Sequence, residues 1–166
     1  QPDEQKMKGM MSKSDPMRGF MIGSLGDIIA YSKLSYPPDR YGEIQKRFAE
    51  AISKLSQKAE ELKDSQASLT IIAHSLGTVI ASAGIYELNK SGTLPKNLRL
   101  DRLFTMGSPI ALYGLRYGLA NFNKPVRPPL WVNLYYPQDL IGCPLKQLNP
   151  EYASAISEEI SLSPGG

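Results

Sequence analysis

The stretch Ser68-Leu69-Thr70-Ile71-Ile72-Ala73-His74-Ser75-Leu76-Gly77-Thr78 decides how this chain of 166 residues folds. Its first six residues are rich in β-branched side chains and largely apolar on both faces. That is the composition of a strand buried on both sides within a parallel sheet. From Thr78 to Asn89 the spacing becomes helical, through Val79, Ile80, Ala83 and Tyr86. A strand that passes straight into a helix needs a sharp turn, and Ser75 stands on it.

Working outward, Arg102-Leu103-Phe104-Thr105-Met106 and Leu130-Trp131-Val132-Asn133-Leu134-Tyr135-Tyr136 read as two further strands. Strand, helix, strand, connection, strand is the order of βαβ units. It implies an α/β fold, three-layer αβα, with a parallel sheet. Upstream, residues 42–64 carry Ile44, Phe48, Ile52, Leu55, Ala59 and Leu62 at steps of three and four, one stripe of a helix that Asp39 is placed to cap. Glu43, Lys46, Arg47, Glu50, Lys54, Lys58 and Lys63 form its solvated face. Residues 27–34 read as a short helix stopped by Tyr36-Pro37-Pro38-Asp39. Residues 7–22 hold five of the six methionines with Gly9, Pro16 and Gly19, an irregular, adaptable segment. Residues 107–129, with Tyr113, Tyr117, Phe122 and a proline cluster, are long for a plain connection and read as a lid-like insertion. No repeat is visible, and the composition marks no internal boundary, so 1–166 is read as a single, partial domain.

Composition excludes several classes. With 42% hydrophobic and 21% charged residues the chain is neither disordered nor collagen-like nor coiled coil. Nineteen basic against sixteen acidic residues give a net charge of +3, scattered rather than gathered, so nucleic acid is not the expected partner. Cys143 is the single cysteine, which forbids an internal disulfide and favours a cytoplasmic setting. His74 is the single histidine, which leaves no ligand cluster for zinc, and no cofactor or metal is expected. No apolar run approaches the roughly 20 residues of a membrane helix. The N-terminus, Gln1-Pro2-Asp3-Glu4-Gln5, has neither an initiator methionine nor a signal-peptide layout and reads as a cut end.

The chemistry lies in Ala73-His74-Ser75-Leu76-Gly77, a G-x-S-x-G pattern with alanine in the first place. A serine forced onto a strand-to-helix turn projects its hydroxyl clear of the sheet, provided that the side chains two before and two after are small. Ala73 and Gly77 meet that condition. The helix beginning there points its positive end at Ser75, and the N–H of Leu76 is placed to stabilise an oxyanion.

Three islands resemble the α/β-hydrolase superfamily in its serine lipase and esterase branch. They are Ile71-Ile72-Ala73-His74-Ser75-Leu76-Gly77-Thr78, Phe104-Thr105-Met106-Gly107-Ser108-Pro109, and Trp131-Val132-Asn133-Leu134-Tyr135-Tyr136-Pro137-Gln138-Asp139-Leu140-Ile141. The resemblance implies Ser75 as nucleophile, Asp139 as the acid that orients a histidine base, and acyl-enzyme hydrolysis of carboxylic esters or lipids. Strand direction agrees with this acid, because parallel sheets gather chemistry at their carboxyl ends. Asp139 lies just beyond such an end, whereas Asp101 and Asp64 precede theirs. The other account of Asp139 is a turn aspartate after Pro137-Gln138.

The superfamily order of serine, acid, histidine stops here after two members, since no histidine follows Asp139. His74, beside the serine, is expected to direct its side chain elsewhere and to pack beside the strand end. Residues 1–67 supply no strand, although the resembled fold has about eight, several upstream of the serine. The chain is therefore expected to be a central piece of a hydrolase, inactive by itself, with a small-molecule ester or lipid as its partner. The alternative is a non-catalytic domain that keeps the sheet for binding. Sequence sets no oligomeric state.

Overall fold

The structure, a computed structural model, describes residues 40–117, 125–139 and 141–162. The chain divides into two compact units, Gln1–Tyr41 and Gly42–Gly166, and the sheet belongs to the second. The methionine-rich segment 7–22, the helix expected over 27–34 and the Asp39 cap lie outside the described residues.

Among the described residues eight elements follow one another: α1 (Arg40–Glu61), β1 (Ala67–His74), α2 (Leu76–Lys90), β2 (Leu98–Met106), α3 (Ile110–Tyr117), β3 (Leu130–Tyr135), α4 (Pro150–Ala155) and β4 (Glu158–Ser161). The strands form one sheet in the order β1-β2-β3-β4, and every pair is parallel. This is the α/β architecture expected from the alternation of elements. Sequential parallel strands joined by right-handed crossovers carry their connecting helices on one face. Side-chain contacts agree with that rule. Tyr152 of α4 lies against Trp131 of β3, ring centroids 6.0 Å apart, and its hydroxyl is hydrogen-bonded to Ser82 of α2.

The core sits beneath those helices. Leu103, Thr105, Trp131 and Asn133, inward-facing on β2 and β3, are buried, with Ile85 of α2 and Tyr152 closing over them. Each fully buried aromatic or aliphatic side chain of this kind contributes roughly 1.5–3 kcal/mol through burial. The polar members are paired: Trp131 Nε1–H donates to Thr105 Oγ1 at 3.0 Å, and that hydroxyl donates to Asn133 Oδ1 at 2.8 Å. Burial of tyrosine among these groups raises the Tyr152 hydroxyl pKa far above its usual value, the Ser82 hydrogen bond opposing the shift.

Several expectations are corrected. β1 is buried on one face only, since Ile72 is 70% exposed, and Ser68, Thr70 and His74 share its open side. The one-sided placement of the crossovers explains this. On α1 the buried stripe runs through Ile52, Ser56 and Ala59, while Leu55 and Leu62 are 49% and 70% exposed. Ser56 is drawn inward because its hydroxyl donates to Asn97 Oδ1 at 2.7 Å and its carbonyl accepts from Asn97 Nδ2 at 3.0 Å. Third, a fourth strand exists: Glu158-Glu159-Ile160-Ser161 carries no apolar alternation, and its ladder with β3 makes it a strand. α4 also went unforeseen, although Asn149 caps it by accepting from Tyr152 N–H at 2.9 Å and Pro150 opens it. Two more, at Gly77 and His74, belong to the site.

Within 107–129, α3 packs inward through Ile110, Ala111 and Tyr113, and Val126 is buried near the far end; residues 118–124 lie outside the described residues. Among the described residues no helix is long and apolar enough to cross a membrane.

Candidate functional site

β1 ends at His74, and α2 begins two residues later at Leu76, leaving Ser75 alone to reverse the chain. It does so with φ 51° and ψ −130°. A non-glycine residue held there costs on the order of 1–3 kcal/mol, and surrounding bonds must impose it. Those bonds are identifiable. Ser75 N–H donates to Met106 C=O at 2.9 Å, extending the β1–β2 ladder by one rung past the strand. Ser75 C=O accepts from Thr78 N–H at 3.0 Å and from Thr78 Oγ1–H at 2.7 Å. Thr78 is fully buried, and its hydroxyl lies 2.8 Å from the equally buried Ser108 hydroxyl. With the Thr78 proton committed to Ser75 C=O, Ser108 is the donor of that pair. The backbone of Ser75 is thus held at both ends, while its own hydroxyl makes no capping bond to α2. Leu76 N–H, first in the helix, has no intrahelical acceptor.

The two small neighbours behave differently. Ala73 is buried on the helix-covered face. A Cβ built on Gly77 meets nothing within 4 Å, so crowding at position 77 does not impose the turn. The hydrogen-bonded Ser75 backbone does.

Asp139 stands in the loop after β3, on the same sheet edge as Ser75, because the strands are parallel. Its N–H donates to Tyr136 C=O at 2.9 Å, and its Oδ1 accepts from Ile141 N–H at 2.9 Å. That is an Asx-turn, the geometry of the turn aspartate that Pro137-Gln138 suggests. Its other oxygen faces two glycines. Gly107, at φ 53°, follows β2, and a Cβ there would lie 3.5 Å from Asp139 Oδ2 and 3.6 Å from His74 Nε2. At Gly142 a Cβ would lie 2.6 Å from both Asp139 Oδ2 and Gly107 Cα. The loop after β3 therefore crosses the turn after β2 in near-backbone contact, which only glycine permits.

Three strand ends converge here: His74 and Ser75 from β1, Gly107 and Ser108 from β2, Asp139 and Gly142 beyond β3. His74 is exposed rather than packed. Among the described residues no ion pair joins it to Asp139 and no hydrogen bond joins it to Ser75. Cys143 is nearby, its N–H donating to Ser108 C=O at 3.3 Å. Burial first, and the Asp139 charge second, push the Cys143 thiol above its usual pKa. That is the wrong direction for a nucleophile. Asp101 is occupied elsewhere: the Arg99 guanidinium, 2.6 Å away, holds its carboxyl down at about 2. Asp64 accepts Gln66 N–H at 3.0 Å on the approach to β1, at the opposite edge. No group of three or more potential metal ligands exists among the described residues.

Sequence reasoning singled out Ser75, Leu76 and Asp139 and missed the residues that hold them, Thr78, Ser108 and Gly142. Ser108 lay within a quoted island without a role, and Gly142 gave no local signal because its neighbour in space is 35 residues away in sequence. Comparison with family models, curated proteins and solved structures returns no match for this chain.

Proposed function

We propose that this chain carries the nucleophile and acid of a serine hydrolase that cleaves carboxylic ester or lipid substrates through an acyl-enzyme. The carrying observation is Ser75 at φ 51° and ψ −130° on a strand-to-helix turn, its backbone fully bonded and its hydroxyl unengaged by the helix. Such strain persists only where surrounding structure enforces it, and it collects at reactive positions. In this assignment Ser75 Oγ attacks the ester carbonyl carbon and passes its proton to an imidazole. The tetrahedral oxyanion accepts from Leu76 N–H, the C–O bond breaks, and the alcohol leaves with the proton. Water then attacks the acyl-serine by the same route in reverse. Asp139 orients the imidazole. β1 and β3 flank β2, so the two strands stand about 10 Å apart, room for a ring between serine and carboxylate.

The base is assigned to a histidine outside these 166 residues, because His74 makes neither bond such a base needs. Without it the 166-residue chain is expected to lose several powers of ten in rate. The test is fluorophosphonate labelling of the full-length protein beside its Ser75→Ala variant. Labelling of the first and none of the second is the expected pair. A folded full-length protein that takes no label overturns the assignment.

A second reading, a binding domain that keeps the sheet without the chemistry, is favoured by one observation: the single histidine of the chain is not hydrogen-bonded to Ser75 or Asp139 among the described residues. A folded, unlabelled full-length protein is its expected signature.

A further inference from the structure

One carboxylate oxygen gathers three donors on the helix-covered side of the sheet. Glu159 Oε1, on β4, accepts from Leu145 N–H at 2.5 Å, from Lys146 N–H at 3.2 Å and from Asn133 Nδ2–H at 3.1 Å. Asn133 is fully buried, and its amide also reaches Cys143 C=O at 3.5 Å. Through its Oδ1 it joins the Thr105 hydroxyl and, beyond that, the Trp131 indole N–H. The result is a directional chain across β2, β3 and β4 that ends on the backbone of residues 143–146. Hydrogen bonds to an ionised acceptor are about twice as strong as neutral ones. Strand pairing alone asks nothing of the side chain at 159.

That anchored backbone continues directly from the acid's own loop. Three residues after Asp139, Gly142 rests against Gly107 and Asp139 Oδ2. Next, Cys143 N–H is bonded to Ser108 C=O, and Leu145 and Lys146 are held by Glu159. We infer that Glu159 is a positioning residue. By gripping the backbone N–H groups of Leu145 and Lys146, it presses Gly142 onto Gly107 and so fixes where the Asp139 carboxylate stands. This rests on the assignment of Asp139 as the acid, and Glu159 itself touches neither substrate nor base. It also accounts for a half-buried glutamate in a short strand, where the neighbouring Glu158 is exposed.

The experiment uses the full-length protein as wild type, Glu159→Gln and Glu159→Ala. It reads amide hydrogen exchange at Leu145 and Lys146, together with kcat and KM on a p-nitrophenyl ester. In Glu159→Ala both amides are expected to exchange about ten- to a hundredfold faster. A displaced acid is expected to lower kcat about a hundredfold, with KM within about twofold. Glu159→Gln keeps an acceptor oxygen and recovers part of both. Unchanged exchange, or faster exchange with wild-type kcat, overturns the inference and leaves the hydrolase assignment standing. A wild type that neither turns over nor takes fluorophosphonate overturns the hydrolase assignment, and the positioning role with it, even where exchange confirms that Glu159 ties the loop. If Glu159→Ala fails to fold, Glu159→Gln decides: kcat lower by about tenfold at constant KM supports the role, and wild-type kcat refutes it.

Discussion

Replacing Gly142 with alanine adds one methyl group where two loops cross. That Cβ would lie 2.6 Å from Gly107 Cα, 3.0 Å from Gly107 C and 2.6 Å from Asp139 Oδ2. The carboxylate can swing aside, but the Gly107 backbone cannot, since its N–H is bonded to Leu134 C=O at 3.1 Å and the next residue is buried. Overpacking against fixed atoms costs about 1–3 kcal/mol. The loss of unfolded-state entropy on exchanging glycine for alanine returns only about 0.4–1 kcal/mol. A net loss of roughly 1–2 kcal/mol remains, which moves a urea midpoint down by about 0.5–1 M. Trp131 is the single tryptophan and is fully buried near the start of β3, in the core of the same sheet, so its fluorescence reports unfolding of the unit that contains the site. Gly77→Ala is the matched control: the same methyl meets open space within a helix, and the midpoint is expected to hold or rise, by up to about 1 kcal/mol. Equal midpoints for Gly142→Ala and wild type would refute the near-backbone contact of the two loops. A large loss in Gly77→Ala would refute the open surroundings assigned to that position.

Ser75→Gly removes the cost of a positive φ, and calorimetry is expected to find a protein more stable by about 1 kcal/mol and without fluorophosphonate reactivity; a less stable variant would refute the strain at this turn. Thr78→Val removes the hydroxyl bond to Ser75 C=O, leaves the backbone Thr78 N–H bond in place and strands the buried Ser108 hydroxyl, costing about 1–3 kcal/mol by denaturation and slowing any labelling of Ser75 in the full-length protein; neutrality would refute the brace. For Asp101 the carboxyl pKa is lowered to about 2, so the stabilisation from its Arg99 pair is full above the ordinary carboxylate range and is lost as pH falls toward 2. An NMR titration of Asp101 is expected to return toward the usual value in Arg99→Ala, and an unchanged midpoint would refute the pairing.

The parallel α/β character was legible because β-branched runs alternate with helical spacing, and local composition alone carries that information. Ser75 was legible for a related reason: a strand that meets a helix within one residue leaves few conformations for the residue between. β4 was not legible. Its four residues lack an apolar pattern, and partners on β3, more than twenty residues away, make it a strand. The exposed face of β1 was misjudged because a two-sided apolar composition says nothing about which side the crossovers take. Leu55 and Ser56 exchanged places for a similar reason, as a hydrogen bond to Asn97 outweighed the periodicity of α1.

By itself, then, the sequence determined the strand-turn-helix around Ser75 and the direction of the strands, since both follow from short-range sterics and period. Tertiary structure alone decided that the loop after Asp139 crosses Gly107 at backbone distance and that Glu159 reaches across to hold it. Contacts between residues far apart in the chain depend on where whole elements come to rest, and no local pattern encodes that.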